Sequence, residues 1–394
     1  MDPRTNPYAP GAGKRPPELA GRDALIERAS IAIDRLRNGR AARSFIYYGL
    51  RGVGKTVLLK KIEDDAEAKG VLAIPIEAPE GRSLPGLLAP LFKSALIRLS
   101  RGEALKEGAA RAMRALAGFI GAIKVKYDDI EVSVDFPPEP GVADTGDLDI
   151  DLPELLIAIA AAAKERRTAV VLFVDELQYV PEKELATLVS ALHRVDQRQL
   201  PFALVAAGLP QLLGRLGEAK SYAERLFEFI PLDRLEPAAA RDAIVKPAEE
   251  AGVRFEPAAV DLIIRETQGY PYFLQEWGKY CWDFADASPV TLADARRASV
   301  AALAELDASF FRVRFDRLTA LEKNYLRAMA ELGPGPHRSG DIADLLGRKV
   351  TALGPVRNSL IVKGMIFSMA HGESAFTVPL FDAFMKRVMP AIAG

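Results

Sequence analysis

The run Gly49-Leu50-Arg51-Gly52-Val53-Gly54-Lys55-Thr56 constrains this chain more than any other stretch of it. It fits G-x-x-x-x-G-K-[ST] in full, and its flanks fit too. Ser44–Tyr48 reads as a short apolar strand, and Lys55 to about Lys69 reads as a helix. The residue types follow from what such a turn must do. Glycines let the backbone fold tightly so that successive N–H groups face one point, and the helix N-terminus behind them adds positive potential there. That point suits phosphate. On this reading Gly49, Gly52, Val53, Gly54, Lys55, Thr56 and Val57 form the cradle. Lys55 reaches the β- and γ-phosphates, and Thr56 offers its hydroxyl to Mg²⁺.

A second pattern completes the first. Val170-Val171-Leu172-Phe173-Val174 is a buried strand ending in Asp175-Glu176. Asp175 is placed to hold Mg²⁺ by way of water, and Glu176 to act as general base on the attacking water. Around these motifs strands and helices alternate. An amphipathic helix at Arg22–Asn38 precedes strands at Ser44–Tyr48, Val71–Ile76, Ala169–Val174 and Phe202–Ala207, with helices at Leu152–Arg166 and Lys183–Gln197. That order predicts a parallel sheet with helices on both faces. An insertion occupies about 81–150. Within it Ile123–Asp135 alternates strictly and predicts a β-hairpin turning at Asp128-Asp129, pairing Lys126 with Glu131, Val125 with Val132 and Tyr127 with Ile130.

Charge and cysteine limit the alternatives. Lys plus Arg (52) nearly cancel Asp plus Glu (53), so a protein that coats nucleic acid by bulk charge is excluded and any DNA contact needs a local patch. Cys281 is the only cysteine, which excludes an intramolecular disulfide and a zinc ribbon and fits a reducing cytoplasm. No apolar run reaches membrane-spanning length and the first residues carry no apolar signal segment, so the expected location is cytoplasmic. His193, His337 and His371 are too scattered for a metal site.

Taken together, the two motifs on one sheet resemble the additional-strand branch of P-loop ATPases. Within it they are similar to AAA+ proteins of the origin-recognition type and the related STAND regulators, over about residues 17–390. The resemblance implies that Pro17–Asp23, with Leu19, contacts the adenine. It implies that Arg225, in Ser221–Phe227, is placed to reach a neighbouring subunit's γ-phosphate, although a surface ion pair accounts for Arg225 equally well. Two departures stand out. The strand Phe202–Ala207 ends without the polar sensor residue of many AAA+ proteins, unless Gln211 replaces it. Gly269-Tyr270-Pro271 also stands where an origin-recognition ATPase carries a sensor arginine, and looks like the STAND element whose Pro271 packs near the nucleotide. Both departures imply slow hydrolysis.

The expected organisation is a flexible tail (1–18), an α/β ATPase core (19–235), a helical lid (236–308) and a C-terminal winged helix (309–394). In the last, Ser339–Leu346 and Pro355–Lys363 read as helices and Met365–Thr377 as a hairpin, with Leu345, Leu346, Leu360 and Ile366 as core. Double-stranded DNA through 348–363, where Arg357, Asn358 and Lys363 would face the groove and Arg348, Lys349 and Thr351 the phosphates, stands beside contact with a protein. The function expected is ATP- and Mg²⁺-dependent, with ATP or ADP bound, a homo-oligomer where Arg225 acts in trans, and hydrolysis driving a change in what the winged helix contacts. The rivals are a non-hydrolysing nucleotide-gated switch and a DNA-binding initiator or transposition helper.

Overall fold

Valine, isoleucine, leucine and phenylalanine crowd the strands so densely that both faces of their sheet must be covered. The computed structural model describes residues 1–392 apart from 12, 15, 79–80, 101–106, 128, 131–132, 135, 220 and 369–371. In it β1 (Ser44–Tyr48), β2 (Leu72–Glu77), β3 (Val170–Asp175), β4 (Phe202–Gly208) and β5 (Phe227–Pro231) form one parallel sheet in the order β2-β3-β4-β1-β5. The additional strand is β4, whose Ala206 lies opposite Ile46 on one side and Val174 on the other. Side chains alternate across the sheet. Val171, Phe173, Phe45 and Tyr47 enter a core shared with α1 (Asp23–Arg37) and α2 (Lys55–Ala68). Val170, Leu172, Val174 and Ile46 enter the opposite core. That side is covered by α3 (Leu84–Ser100), α4 (Glu107–Ile123), α5 (Leu148–Glu165) and α6 (Glu182–Gln197), with α7 (Leu212–Ala219) and α8 (Ala223–Leu226) beside them.

The expected β-hairpin at 123–135 is corrected. Asp128, Glu131, Val132 and Asp135 lie outside the described residues, and the described ones form no strand. Lys126 and Tyr127 both donate their N–H to the Ile123 carbonyl, at 2.8 and 3.1 Å, so the chain turns out of α4 instead of extending. Val125 is then 91% exposed and Ile130 only 1%, where the hairpin required a shared face. Asp129 meanwhile accepts from the N–H and hydroxyl of Ser83, at 3.0 and 2.7 Å, beside the start of α3. A tertiary cap has overridden a local alternation.

Beyond the sheet come α9 (Pro237–Glu250), α10 (Pro257–Thr267), α11 (Pro271–Phe284) and α12 (Leu292–Glu305). Proline opens the first three, where its missing N–H costs nothing, and a Thr291–Asp294 capping box opens α12. A π-helical turn, Leu306–Phe311, carries α12 into α13 (Arg312–Asp316). The C-terminal region adds α14 (Ala320–Leu332), β6 (His337–Arg338), α15 (Ser339–Leu345), α16 (Val350–Val362), β7 (Ile366–Phe367), β8 (Glu373–Phe376) and α17 (Phe381–Val388). Its three strands form an antiparallel sheet in the order β6-β8-β7. Here α16 begins at Val350, five residues before the expected Pro355, and that proline sits inside it. Leu360 and Ile366 are buried as expected, but Leu345 is exposed.

One apolar cluster runs through this whole second half. At its centre the Phe311 ring lies 6.2 Å from Phe273 of α11 and 5.8 and 5.2 Å from Phe381 and Phe384 of α17. Each such pair adds about 0.5–1.5 kcal/mol beyond its buried area, so the two regions are well tied.

The expected loose tail is also corrected. Tyr8 is buried against Gly278, where a Cβ would come within 2.5 Å of its ring, and its hydroxyl donates to the Ile244 carbonyl. Asn6 donates to the Lys279 carbonyl (3.0 Å), and Trp282 Nε1 to that of Asp2 (2.9 Å). A glycine facing outward on α11 gives the tail its seat.

Candidate functional site

The glycine loop follows β1 at the carboxyl edge of the sheet, where parallel α/β folds place ligands. Gly52 and Gly54 adopt φ of +81° and +89°, which only glycine takes without strain. Gly49 answers a different need: a Cβ there would lie 2.0 Å from the Leu232 carbonyl oxygen. Lys55 is buried at the start of α2, and its ammonium donates to the carbonyls of Gly49 (2.9 Å) and Leu50 (2.8 Å). Burial lowers its pKa to about 8, against the pull of Glu176 and Asp175 in the opposite direction.

The Thr56 hydroxyl donates to Asp175 Oδ2 at 2.5 Å, which joins the two sequence motifs directly. Burial raises the Asp175 pKa, opposed by bonds from Thr56 and from the Glu176 N–H. A hydroxyl and a carboxylate this close are hard oxygen donors of the sort Mg²⁺ takes alongside phosphate oxygens and water, so they fit that ion. Glu176 adopts φ of +53°, a strained backbone for a non-glycine residue. Its carboxylate accepts from Gln178 Nε2 and lies 3.8 Å from Arg51 Nη1.

Gln178 was not singled out by sequence. Its amide oxygen accepts from the Leu209 N–H at 3.0 Å, so it stands at the end of β4 where a polar residue was missing. Gln211, the suggested substitute, has a buried amide oxygen without a partner among the described residues and stands outside the nucleotide cavity's wall.

Arg51, Gly52, Gly54, Lys55, Thr56 and Glu176 line a cavity of about 310 Å³ between the sheet and the helices from α9 onward. Leu19, Val53, Val57 and Pro271 line it, and so do Arg22 and Gln275. Pro271 opens α11, and the next N–H, that of Tyr272, donates to the Gly52 carbonyl at 3.1 Å. The tail contributes Pro10, Gly11 and Lys14 to the wall, and Arg314 of α13 completes it. Neither contribution has a local sequence signal. Arg314 arrives on α13, which continues α12 through the π-helical turn.

Arg51, an unspecified position of the motif, proves to be a hub. Beyond Glu176, its guanidinium donates to the Tyr179 hydroxyl at 3.0 Å, and its backbone N–H donates to the Thr377 carbonyl at 2.9 Å, just past β8. A Cβ on Gly364 would approach Arg51 Nη2 within 2.9 Å. The C-terminal region thus rests on the glycine loop itself.

Other expected residues lie apart. Arg225 is exposed on α8 and does not line the cavity. Arg357, expected to face a DNA groove, is instead bonded to Ser374 Oγ (3.0 Å), Ser368 Oγ (2.7 Å) and the Glu373 carbonyl (2.8 Å). Lys363 pairs with Glu322 at 2.7 Å. Arg348, Lys349, Thr351 and Asn358 are exposed.

A parallel sheet with β4 between the strand before the glycine loop and the strand ending in Asp175 defines a P-loop ATPase fold of the AAA+ kind. Residues 18–205 match the family model described as an AAA ATPase domain, and 308–385 match a domain of unknown function (DUF8462). Over those first residues the chain is similar to an AAA ATPase domain. Among curated proteins none matches it. Among solved structures it is similar to the Walker-type ATPase PABY2304 of Pyrococcus abyssi, at 14% identity over 94% of this chain and 97% of that one, with a TM-score of 0.58. It is more distantly similar to the Aeropyrum pernix Orc1 protein in complex with DNA, at 17% identity over 94% of each chain and a TM-score of 0.46. The Thermotoga maritima RuvB Holliday junction branch migration motor gives 17%, 92% of this chain, 95% of that one and 0.46. The first likeness is one of fold; the other two are too loose to bear on this chain. Among the described residues, no helix is long and apolar enough to cross a membrane.

Proposed function

We propose that this chain is an AAA+/STAND-type ATPase that binds ATP in the cavity and uses its slow hydrolysis to control a contact of its C-terminal region. The observation that carries the reading is Arg51, which joins the glycine loop to Glu176 and to Thr377 at once. In this reading 19–235 is the core, 236–308 a lid and 309–394 a winged helix, with α16 its second helix and β7–β8 the wing. Loop N–H groups and Lys55 bind the phosphates, Leu19 and Pro271 border the base, and Thr56 and Asp175 hold Mg²⁺, which would supply charge neutralisation at the phosphates. Glu176 takes the proton of the attacking water. Because Gln178 and Arg51 both engage that carboxylate, it must be released or reoriented first, which is consistent with slow turnover. Arg225, exposed and away from the cavity, suits action only on a neighbour's nucleotide in a homo-oligomer.

For the C-terminal region a protein contact is favoured over DNA. Arg357 and Lys363 are engaged internally, while Leu345, Val350 and Val362 stand exposed on α15 and α16. The test is ATP hydrolysis against protein concentration. We expect Lys55→Ala to abolish binding and Glu176→Gln to keep binding but lower turnover ~10²- to 10⁴-fold. Specific activity that rises with concentration and falls in Arg225→Ala marks the oligomer. Parent protein that binds ATP yet releases no phosphate at any concentration leaves only the non-hydrolysing switch.

A further inference from the structure

Arg314 is a charged group in the cavity wall that the scheme above leaves unused. We infer that Arg314 binds the terminal phosphate of a nucleoside triphosphate and so lets this chain tell a triphosphate from a diphosphate; the inference rests on the nucleotide-binding reading. The guanidinium is half-buried, 4.2 Å from the Phe310 ring centroid, and Nη1 donates to the Phe310 carbonyl. Among the described residues no carboxylate lies within ion-pair distance of it, although its neighbour Arg312 pairs with Asp316 at 3.1 Å. The charge that acts on it most is of its own sign: after burial itself, Arg51 is the chief influence lowering its pKa to about 10.

Lys55, Arg51, Arg22 and Lys14 line the same cavity, while of its acids Glu18 is paired with Lys246 and Glu176 is shared with Arg51. Cations gathered in this way, with too few carboxylates between them, are stabilised by an anion with several oxygens. Position selects which phosphate. Arg314 stands near Arg51 and Tyr179, and Arg51 in turn lies 3.8 Å from Glu176, where the attacking water belongs. Its mount is firm. Phe310 stacks on Tyr272 at 4.8 Å, and Tyr272 is bonded to Gly52 of the loop. No arginine occurs in Gly269–Phe273, so α13 supplies a charge that this segment of the lid lacks.

Equilibrium titrations of the full chain with Mg²⁺-ADP and with the non-hydrolysable triphosphate AMPPNP test this. Removing a charge-assisted hydrogen bond to one phosphate should weaken AMPPNP ~10-fold in Arg314→Met, with Arg314→Lys intermediate and ADP changed less than about twofold. Retained ADP affinity also reports that the variant is folded. Equal weakening of both nucleotides, or of neither, overturns the inference. Lys55→Ala is the companion: if it binds both nucleotides like the parent, the nucleotide site itself is misread, and the inference falls for that separate reason.

Discussion

Lys55 is buried beside two carboxylates, yet its pKa is lowered to about 8 because the loss of hydration outweighs their attraction. A bound phosphate adds negative charge within reach of the ammonium and pulls that pKa back up. The sign follows. Below about pH 8 the lysine is protonated both with and without ligand, and affinity does not depend on it. As pH rises past that value the free protein loses the proton, so binding must take one up and affinity falls. Calorimetry in two buffers of different ionisation heat should therefore give uptake approaching one proton at about pH 9 and almost none at about pH 6.5. Equal uptake at both would mean that Lys55 does not face the phosphates. Lys55, Thr56, Asp175 and Glu176 could be named from sequence because each sits in a short contiguous motif. Gln178, Arg51 and Arg314 could not, since what they touch comes from other elements.

The same distinction holds for elements. Strands β1 to β4 were legible within a residue or two, and α9 to α12 fall inside the expected helical lid at 236–308, because periodic burial is written locally. The edge strand β5 was missed: Phe227–Pro231 has five residues and pairs only with β1. The hairpin at 123–135 was a true alternation defeated by Asp129, which serves Ser83 across 46 residues. The tail failed differently, since proline and glycine suggested looseness and nothing nearby revealed that Gly278 makes room for Tyr8. That seat gives a prediction. Replacing a buried aromatic ring by alanine costs ~3–5 kcal/mol in a core. Here the cost should appear as release of the tail, because Tyr8 is its main buried anchor. Brief trypsin treatment should cut Tyr8→Ala rapidly at Arg4 or Lys14 and spare the parent, while thermal melting shifts little. Equal protection in both would show that the tail is held by its other bonds.

At the scale of the molecule, the second half is one apolar body that meets the α/β half at several places, with Tyr270 packed on the sheet's core and Gly269 accepting from the Leu235 N–H. Tyr272 bonds to Gly52, and Thr377 and Gly364 rest on Arg51. These last contacts are on or against the glycine loop, so a ligand that shifts the loop acts on each of them. Coupling of that kind is reciprocal: whatever loosens the C-terminal contact must alter nucleotide affinity by the same free energy. Arg51→Ala removes the guanidinium bridge to Glu176 and Tyr179 but leaves the Thr377 bond to the backbone. Those two bonds lie within the α/β half; what the substitution takes from the closed state is the guanidinium's contact with Gly364, so the closed-to-open ratio should fall. Spin labels at the exposed positions Ala68→Cys on α2 and Asp344→Cys on α15 would read that ratio as a distance distribution. We expect one narrow distance in the parent and a second, longer population in Arg51→Ala, with AMPPNP shifting the parent's distribution and ADP doing so less. If both proteins give one unchanged distance with every ligand, the C-terminal region is fixed to the loop rather than governed by it, and its contacts cannot be what ATP controls.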